Sequence, residues 1–439
     1  MKGHRFMESM ATLDTVERWG TLRRITPTWL EADGPAIALG SLCEIGDRSG
    51  ARSPMLAEVV KVAEDGIALV PFEQPTALQL GMRVRALAAD GTVPVGNAFL
   101  GRAVDALGRP IDAGGPVGAV VRAPIHAELP TPLQRASSDE MLPTGIRAID
   151  GLLTMGVGQR LGIFAASGVG KTTLISQLAR QVEADCTVLC LVGERGREVD
   201  QFWSSELDEA GRRHTALVAA TSDKPAALRV RAVYQALAMA RYWREQGSKV
   251  LLILDSATRL AMAMREVGLA SGEPPTIRAY PPSVFATIPR IVEQCGALKS
   301  GGSITALFTV LSETDEVDDP VCEMMKSILD GHIVLSRSLA ERGHFPAIDI
   351  TRSVSRNSDR LVSRDQAMKA RVLRALLADY EASRTLIESG LYKAGASSAL
   401  DAAIAVKPGL DAFLAQPQDE AVDFDTVVTA LRSAVGGVS

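Results

Sequence analysis

The stretch from Gln159 to Ala184 constrains the fold of this 439-residue chain more than any other. Residues 159–164 read as an apolar strand. A glycine-rich turn follows, Ala165-Ala166-Ser167-Gly168-Val169-Gly170-Lys171-Thr172. From Thr172 to about Ala184 the pattern becomes helical, with Leu174, Ile175, Leu178 and Val182 on one face. A strand that turns straight into a helix belongs to a βαβ unit, and further apolar strands are expected at 187–192, 215–220, 249–254 and 303–311. Helix-length segments separate them. The chain is therefore expected to build a mainly parallel α/β sheet covered on both faces.

The flanks differ in texture. From Leu22 to about Val121, short alternating runs at 35–39, 56–62, 66–70 and 82–87 are broken by Gly, Asp and Pro, as in a small β-barrel or sandwich. Beyond Asp359 the strands stop, and amphipathic helices are expected at 365–387 and 398–406. The expected organisation is an N-terminal extension at 1–21, a β-barrel domain at 22–121, an α/β core at 122–359 and a C-terminal helical domain at 360–439.

Composition narrows the function. The net charge is −5, and residues 20–120 hold only Trp29, Phe72 and Phe99 as aromatics, so no nucleic-acid partner is expected. No run approaches the roughly 18 apolar residues of a membrane span, and the N-terminus lacks the apolar stretch of a signal peptide. The five cysteines have no metal-ligand spacing, and Cys186 and Cys190 flank an apolar run as packing residues would. A cytoplasmic setting follows.

The turn carries the chemistry. Its backbone N–H groups can converge on a phosphate chain, and the helix N-terminus adds partial positive charge. Ala166, Ser167, Gly168, Val169, Gly170, Lys171, Thr172 and Thr173 would cradle a nucleoside triphosphate. Lys171 would reach the β- and γ-phosphates, and Thr172 would ligate Mg²⁺. Two alanines depart from the usual glycines; Ala166 fits at negative φ and is strained at positive φ. Asp255 closes the strand at 249–254 and is the second expected holder of Mg²⁺. Glu194 ends the strand at 187–192 on the same sheet edge, where ligands bind in open α/β sheets. It reads equally as a base for the attacking water or as part of a surface charge cluster with Arg195 and Arg197. Glu198 stands second to it.

Longer segments carry a resemblance. Gly193-Glu194-Arg195-Gly196-Arg197-Glu198, Leu254-Asp255-Ser256-Ala257-Thr258-Arg259, Gly272-Glu273-Pro274-Pro275 and Tyr280-Pro281-Pro282-Ser283-Val284-Phe285 resemble the type III protein-export ATPases of flagella and injectisomes, relatives of the catalytic subunit of rotary ATP synthases. So do residues 327–337 and 345–349. The resemblance spans roughly residues 20 to 410. It implies an N-terminal barrel, a RecA-like P-loop core and a helical C-terminal domain, with ATP and Mg²⁺ as ligands. It assigns Glu194 to water activation, Phe345 to adenine stacking and Arg356 to an arginine finger that enters a neighbouring subunit's site. Arg195 is placed either to position Glu194 or to contact phosphate. The resemblance also implies a homo-oligomeric ring, expected as a hexamer, at the inner membrane. Its expected partners are stalk and stator-like regulators, chaperone–substrate complexes and the export gate. A rotary synthase-type subunit and a hexameric RNA translocase share this core and are the alternatives.

Overall fold

The computed structural model describes residues 17–46, 54–88, 91–118, 120–311 and 319–435. Most of the expected N-terminal extension, residues 1–16, lies outside the described residues.

Six strands come first: β1 (Trp19–Ile25), β2 (Leu30–Ala32), β3 (Leu42–Gly46), β4 (Met55–Ala63), β5 (Gly66–Pro71) and β6 (Arg83–Ala88). They close into an antiparallel barrel in the order β1-β2-β5-β4-β3-β6. Period-two alternation builds it. On β4, Met55, Ala57 and Val59 point inward to join Leu22, Leu30, Cys43, Ile45, Leu69 and Val84. Closure leaves no free strand edge. The run at 35–39, expected as a strand, is an irregular loop. Pro35 has no N–H to give a ladder, although Ile37 still packs on the barrel core.

The barrel ends at Ala88 rather than running to residue 121. Beyond it, β7 (Thr92–Val95) pairs with β9 (Val121–Pro124) as a separate ribbon, and β8 (Ala103–Val104) joins the edge of the central sheet. Asp112 explains this detour. Its carboxylate accepts two hydrogen bonds from Arg102, each 2.8 Å, and one from Ala103 N, which folds the turn back along that edge.

The central sheet contains β10 (Arg160–Ala165), β11 (Cys186–Val192), β12 (Thr215–Ala220), β13 (Lys249–Asp255), β14 (Gly296–Ala297), β15 (Ser303–Leu311), β16 (Gly331–Leu335) and β17 (Ile348–Ser355). Its order is β17-β16-β10-β15-β13-β11-β12-β8, with β14 beside β15. Only β14 and β17 run antiparallel to their neighbours. Every other strand points its carboxyl end to one edge.

The two faces of this sheet bury alternate residues. Leu189 and Leu191 pack with the helix Lys171–Gln181 and the C-terminal domain. Val188, Cys190 and Val192 pack with the helices Ala226–Glu245 and Ala257–Ala270. All five cysteines are free and buried. Burial pushes the Cys186 thiol up to about 12, as expected of packing residues.

The C-terminal region is helical. The segment expected as one helix at 365–387 divides at Ser383 into Arg364–Ala382 and Arg384–Glu388. The helix expected at 398–406 continues through Pro408 to Leu414. A further helix, Phe424–Val435, buries Val427 and Leu431 against the core. Arg147 ties the two units together: its Nε donates to Phe413 O at 2.9 Å, and its N–H donates to Gln416 Oε1 at 2.8 Å.

Candidate nucleotide-binding and catalytic site

The glycine-rich turn leaves the carboxyl end of β10. Gly168 and Gly170 sit at φ +80° and +93°, left-handed conformations that favour glycine. Among the described residues only Arg278 and Ala279 take positive φ without being glycine, so Ala165 and Ala166 fit the turn unstrained. Val169 is buried in the core and pins the loop. Ser167, Gly168, Thr172 and Thr173 are exposed around it. The helix Lys171–Gln181 begins at once, so its N-terminal N–H groups face the turn.

Strand order brings the charged groups together. β13 lies between β15 and β11, so Asp255 at the end of β13 stands beside Glu194, two residues past β11. Lys171 Nζ donates to Asp255 Oδ1 and lies 3.6 Å from Glu194 Oε1. Thr309 Oγ1, on β15, holds the same Asp255 oxygen at 2.6 Å.

Glu194 is buried, only 8% exposed, which decides between its two readings. Its carboxylate faces Lys171 and Arg259 rather than standing in a solvent-exposed cluster. Gly193 makes the approach possible, with φ +71°; a Cβ there would lie 2.9 Å from Arg259 Cδ. Arg259 clamps the glutamate. Its Nε lies 3.3 Å from Oε1, its Nη2 donates to Oε2 at 3.3 Å, and its Nη1 donates to Gly193 O. Burial above all, and then a hydrogen bond with Glu198, push the Glu194 carboxyl up to about 7, against the lowering pull of Lys171. The same contact holds the Glu198 carboxyl low. Glu194 Oε1 has no hydrogen-bond donor among the described residues. A buried acceptor of this kind, at the strand ends and beside a phosphate loop, suits proton abstraction from water.

Arg195 does not touch Glu194. Its side chain is 66% exposed and lies 3.9 Å from Glu198, and the arginine against the Glu194 carboxylate is Arg259. Arg259 escaped the sequence reading although its segment was singled out. The signal was an arginine in the first turn of a helix capped by Ser256, four residues after Asp255.

Phe345 is 46% exposed, and its ring comes within 3.5 Å of where a Cβ on Gly170 would be. It lines a cleft of about 360 Å³ with Gly170, Thr173, Leu174, Gln177, Pro346 and Ala347. Gln416, Pro417 and Gln418 of the helical region close the far side, and Gln416 N donates to Phe345 O at 2.8 Å. This second wall was not foreseen. It lies some 70 positions along the chain and carries no motif.

Arg356 stands apart from all of these. β17 runs against β16, so its last residue, Ser355, pairs with Gly331 at the sheet edge opposite the glycine-rich turn. The six residues of β10 separate the two edges, roughly 20 Å at the usual rise per residue. Arg356 is exposed and does not reach the loop of its own chain.

Among the described residues no group of three or more His, Cys, Asp or Glu could hold a metal ion by itself. Thr172 and Asp255 offer oxygen donors beside the phosphate loop, the set that suits Mg²⁺ when phosphate oxygens and waters complete the shell.

The comparisons with known proteins agree with this geometry. Residues 145–355 match the ATP synthase alpha/beta family, nucleotide-binding domain, and residues 362–433 match the T3SS EscN ATPase C-terminal domain. The chain is 41% identical over 438 residues to the flagellum-specific ATP synthase of Bacillus subtilis (strain 168), covering 99% of each. It is 43% identical over 424 residues to the type 3 secretion system ATPase of Xanthomonas euvesicatoria, covering 97% of this chain and 96% of that one. Its fold is similar to the assembled ATPase EscN from the enteropathogenic E. coli type III secretion system, with TM-score 0.89 and 40% identity over 95% of this chain and 100% of that one. A phosphate loop, a buried carboxylate pair and these whole-length likenesses place the chain in the family of flagellum-specific and type III secretion ATPases, a branch of the ATP synthase alpha/beta family, and it is an ATP hydrolase.

Proposed function

We propose that this chain is the ATPase that energises type III protein export, hydrolysing ATP at sites shared between subunits of a homo-oligomeric ring. The carrying observation is the split of the site. Lys171, Asp255 and Glu194 gather at one edge of the sheet while Arg356 stands at the opposite edge. A head-to-tail neighbour brings the two edges together.

In the proposed reaction the loop N–H groups and Lys171 bind the β- and γ-phosphates. Phe345 stacks on adenine in the cleft closed by Gln416 and Pro417. Thr172 and Asp255 would hold Mg²⁺, which when bound neutralises charge on the phosphate oxygens. The Glu194 carboxylate accepts a proton from water as its oxygen attacks the γ-phosphorus. The bond to the β–γ bridging oxygen breaks, and its electron pair leaves with ADP. Arg356 of the adjacent subunit stabilises the charge on the transferring group. Arg195, solvent-facing at the start of the helix Gly196–Gln201, is left as a phosphate contact. The ring would be a hexamer that releases chaperones and unfolds export substrates, in a flagellar or injectisome system. EscN has been seen assembled and with its central stalk EscO, which supports a stalk partner here. Among the described residues no helix is long and apolar enough to cross a membrane, consistent with a cytoplasmic enzyme bound peripherally at the export gate.

Lys171→Ala and Arg356→Ala should each abolish turnover, the latter with ATP affinity retained. Mixing the two inactive proteins should restore activity, because the intact finger of one serves the intact loop of the other. Normal hydrolysis by Arg356→Ala would sink the shared site.

A further inference from the structure

Arg356 emerges from a network that also holds the strand feeding the chain's own phosphate loop. Asp330, just before β16, is its centre. The Asp330 side chain accepts from Arg160 Nε at 3.0 Å, Arg160 Nη2 at 3.1 Å and Arg160 N at 2.9 Å. Asp330 N in turn donates to Arg160 O at 2.8 Å. Four hydrogen bonds therefore fix Asp330 to the first residue of β10. Its carbonyl faces the other way and accepts from Arg356 N at 3.0 Å. The guanidinium is steadied further by Lys326 O, 3.3 Å from Nη2.

The surroundings of Asp330 are equally well anchored. Arg160 Nη1 donates to Glu293 Oε1 at 2.6 Å, and Glu293 Oε2 meets Arg135 Nη2 at 2.8 Å. Buried Gln159 donates to Ser355 Oγ at 3.0 Å, and Ser355 Oγ donates to Thr154 O at 2.9 Å. The residue preceding the finger is thus tied to the residue preceding Arg160. A bidentate arginine–carboxylate pair is directional as well as strong, and here it is partly shielded from water.

We infer that Asp330, clamped by Arg160, is a positioning residue for the finger: it sets where Arg356 projects and so acts on the neighbouring subunit's reaction, not on its own. This inference rests on the shared site proposed above. A structural role confined to the chain's own loop is the competing account, since Arg160 begins the strand that ends at that loop. The two differ in which subunit suffers.

The test uses full-length protein carrying Asp330→Asn, with Arg160→Lys as a second variant that keeps the charge but loses the fork. Nucleotide affinity and circular dichroism should match the unmodified protein. The value of kcat should fall about tenfold, the effect of weakening one positioned transition-state contact, with KM little changed. Equal mixing of Asp330→Asn with Lys171→Ala should then raise activity per subunit toward about a quarter of wild type, the share of interfaces in a random ring that join a working loop to an undisturbed finger. Unchanged kcat in both variants would overturn the inference. So would a loss that Lys171→Ala does not restore while it does restore Arg356→Ala, for then Asp330 serves its own loop. If Arg356→Ala is itself not restored, the shared site falls and this inference falls with it.

Discussion

In the proposed reaction Glu194 must be ionised to take a proton from water, yet burial and the Glu198 hydrogen bond push its carboxyl up to about 7. Its protonated form is therefore favoured below neutrality, and activity should rise as pH climbs through that value. The ascending limb of kcat/KM, which reports the free enzyme, should show its midpoint near 7. Glu198→Ala removes a contact that raises the value, so the limb should move to lower pH. A limb that stays put in Glu198→Ala would mean that the Glu198 contact does not raise the Glu194 value. Spacing alone left Glu194 balanced between a base and a surface charge. Its burial beside Lys171 separates the two, and burial cannot be read from one strand's end. Lys171 and Asp255 were expected together for the opposite reason, because each belongs to a motif whose geometry is local, and the structure brings them into contact. Arg195, expected either to position Glu194 or to contact phosphate, adjoins Glu194 in the chain but turns to solvent, while Arg259, 65 positions on, lies against the Glu194 carboxylate.

The elements were legible where their pattern was long and failed where tertiary pairing overrode it. The core strands appear within a residue or two of expectation. The two-residue strand Ala103–Val104 could not be foreseen, since only its pairing with β12 makes it a strand. The helix Ala226–Glu245 shows what such pairing adds, because polar side chains on it grip the barrel and the ribbon. Arg231, 3% exposed, lies 3.2 Å from Glu58 of β4, and Gln235 donates to Pro94 O at 2.7 Å. Burial raises the Glu58 carboxyl in spite of Arg231, so this pair is costly to break. Arg231→Met should destabilise the protein by about 3–5 kcal/mol, because Glu58 is left buried without its partner. Arg231→Met with Glu58→Met should cost less. Denaturant unfolding of the two variants compares them, and equal losses would show that the pair carries no such penalty.

At the scale of the whole molecule, two units meet at one cleft. The loop belongs to the core, and its far wall at Gln416 to Gln418 belongs to the helical region. Because Arg356 sits on the other edge of the sheet, hydrolysis should depend on association. Specific activity should climb with protein concentration and then level off, with assembly followed by light scattering on the same samples. A flat profile in a preparation shown to be monomeric would contradict the shared site.

The antiparallel turn-back of β17 has a consequence for how such an assembly grows. In the proposed shared site each subunit would carry a donor end at Arg356 and an acceptor end at the glycine-rich turn, on opposite edges of the sheet, so head-to-tail addition leaves one of each free. An open row of n such subunits would hold n−1 finished sites, with an unserved loop at one end and an unused finger at the other. The last subunit to join finishes two sites at once. Closure is thus the one addition that yields a double return, and a partly built row always has one idle seat to mark it as incomplete.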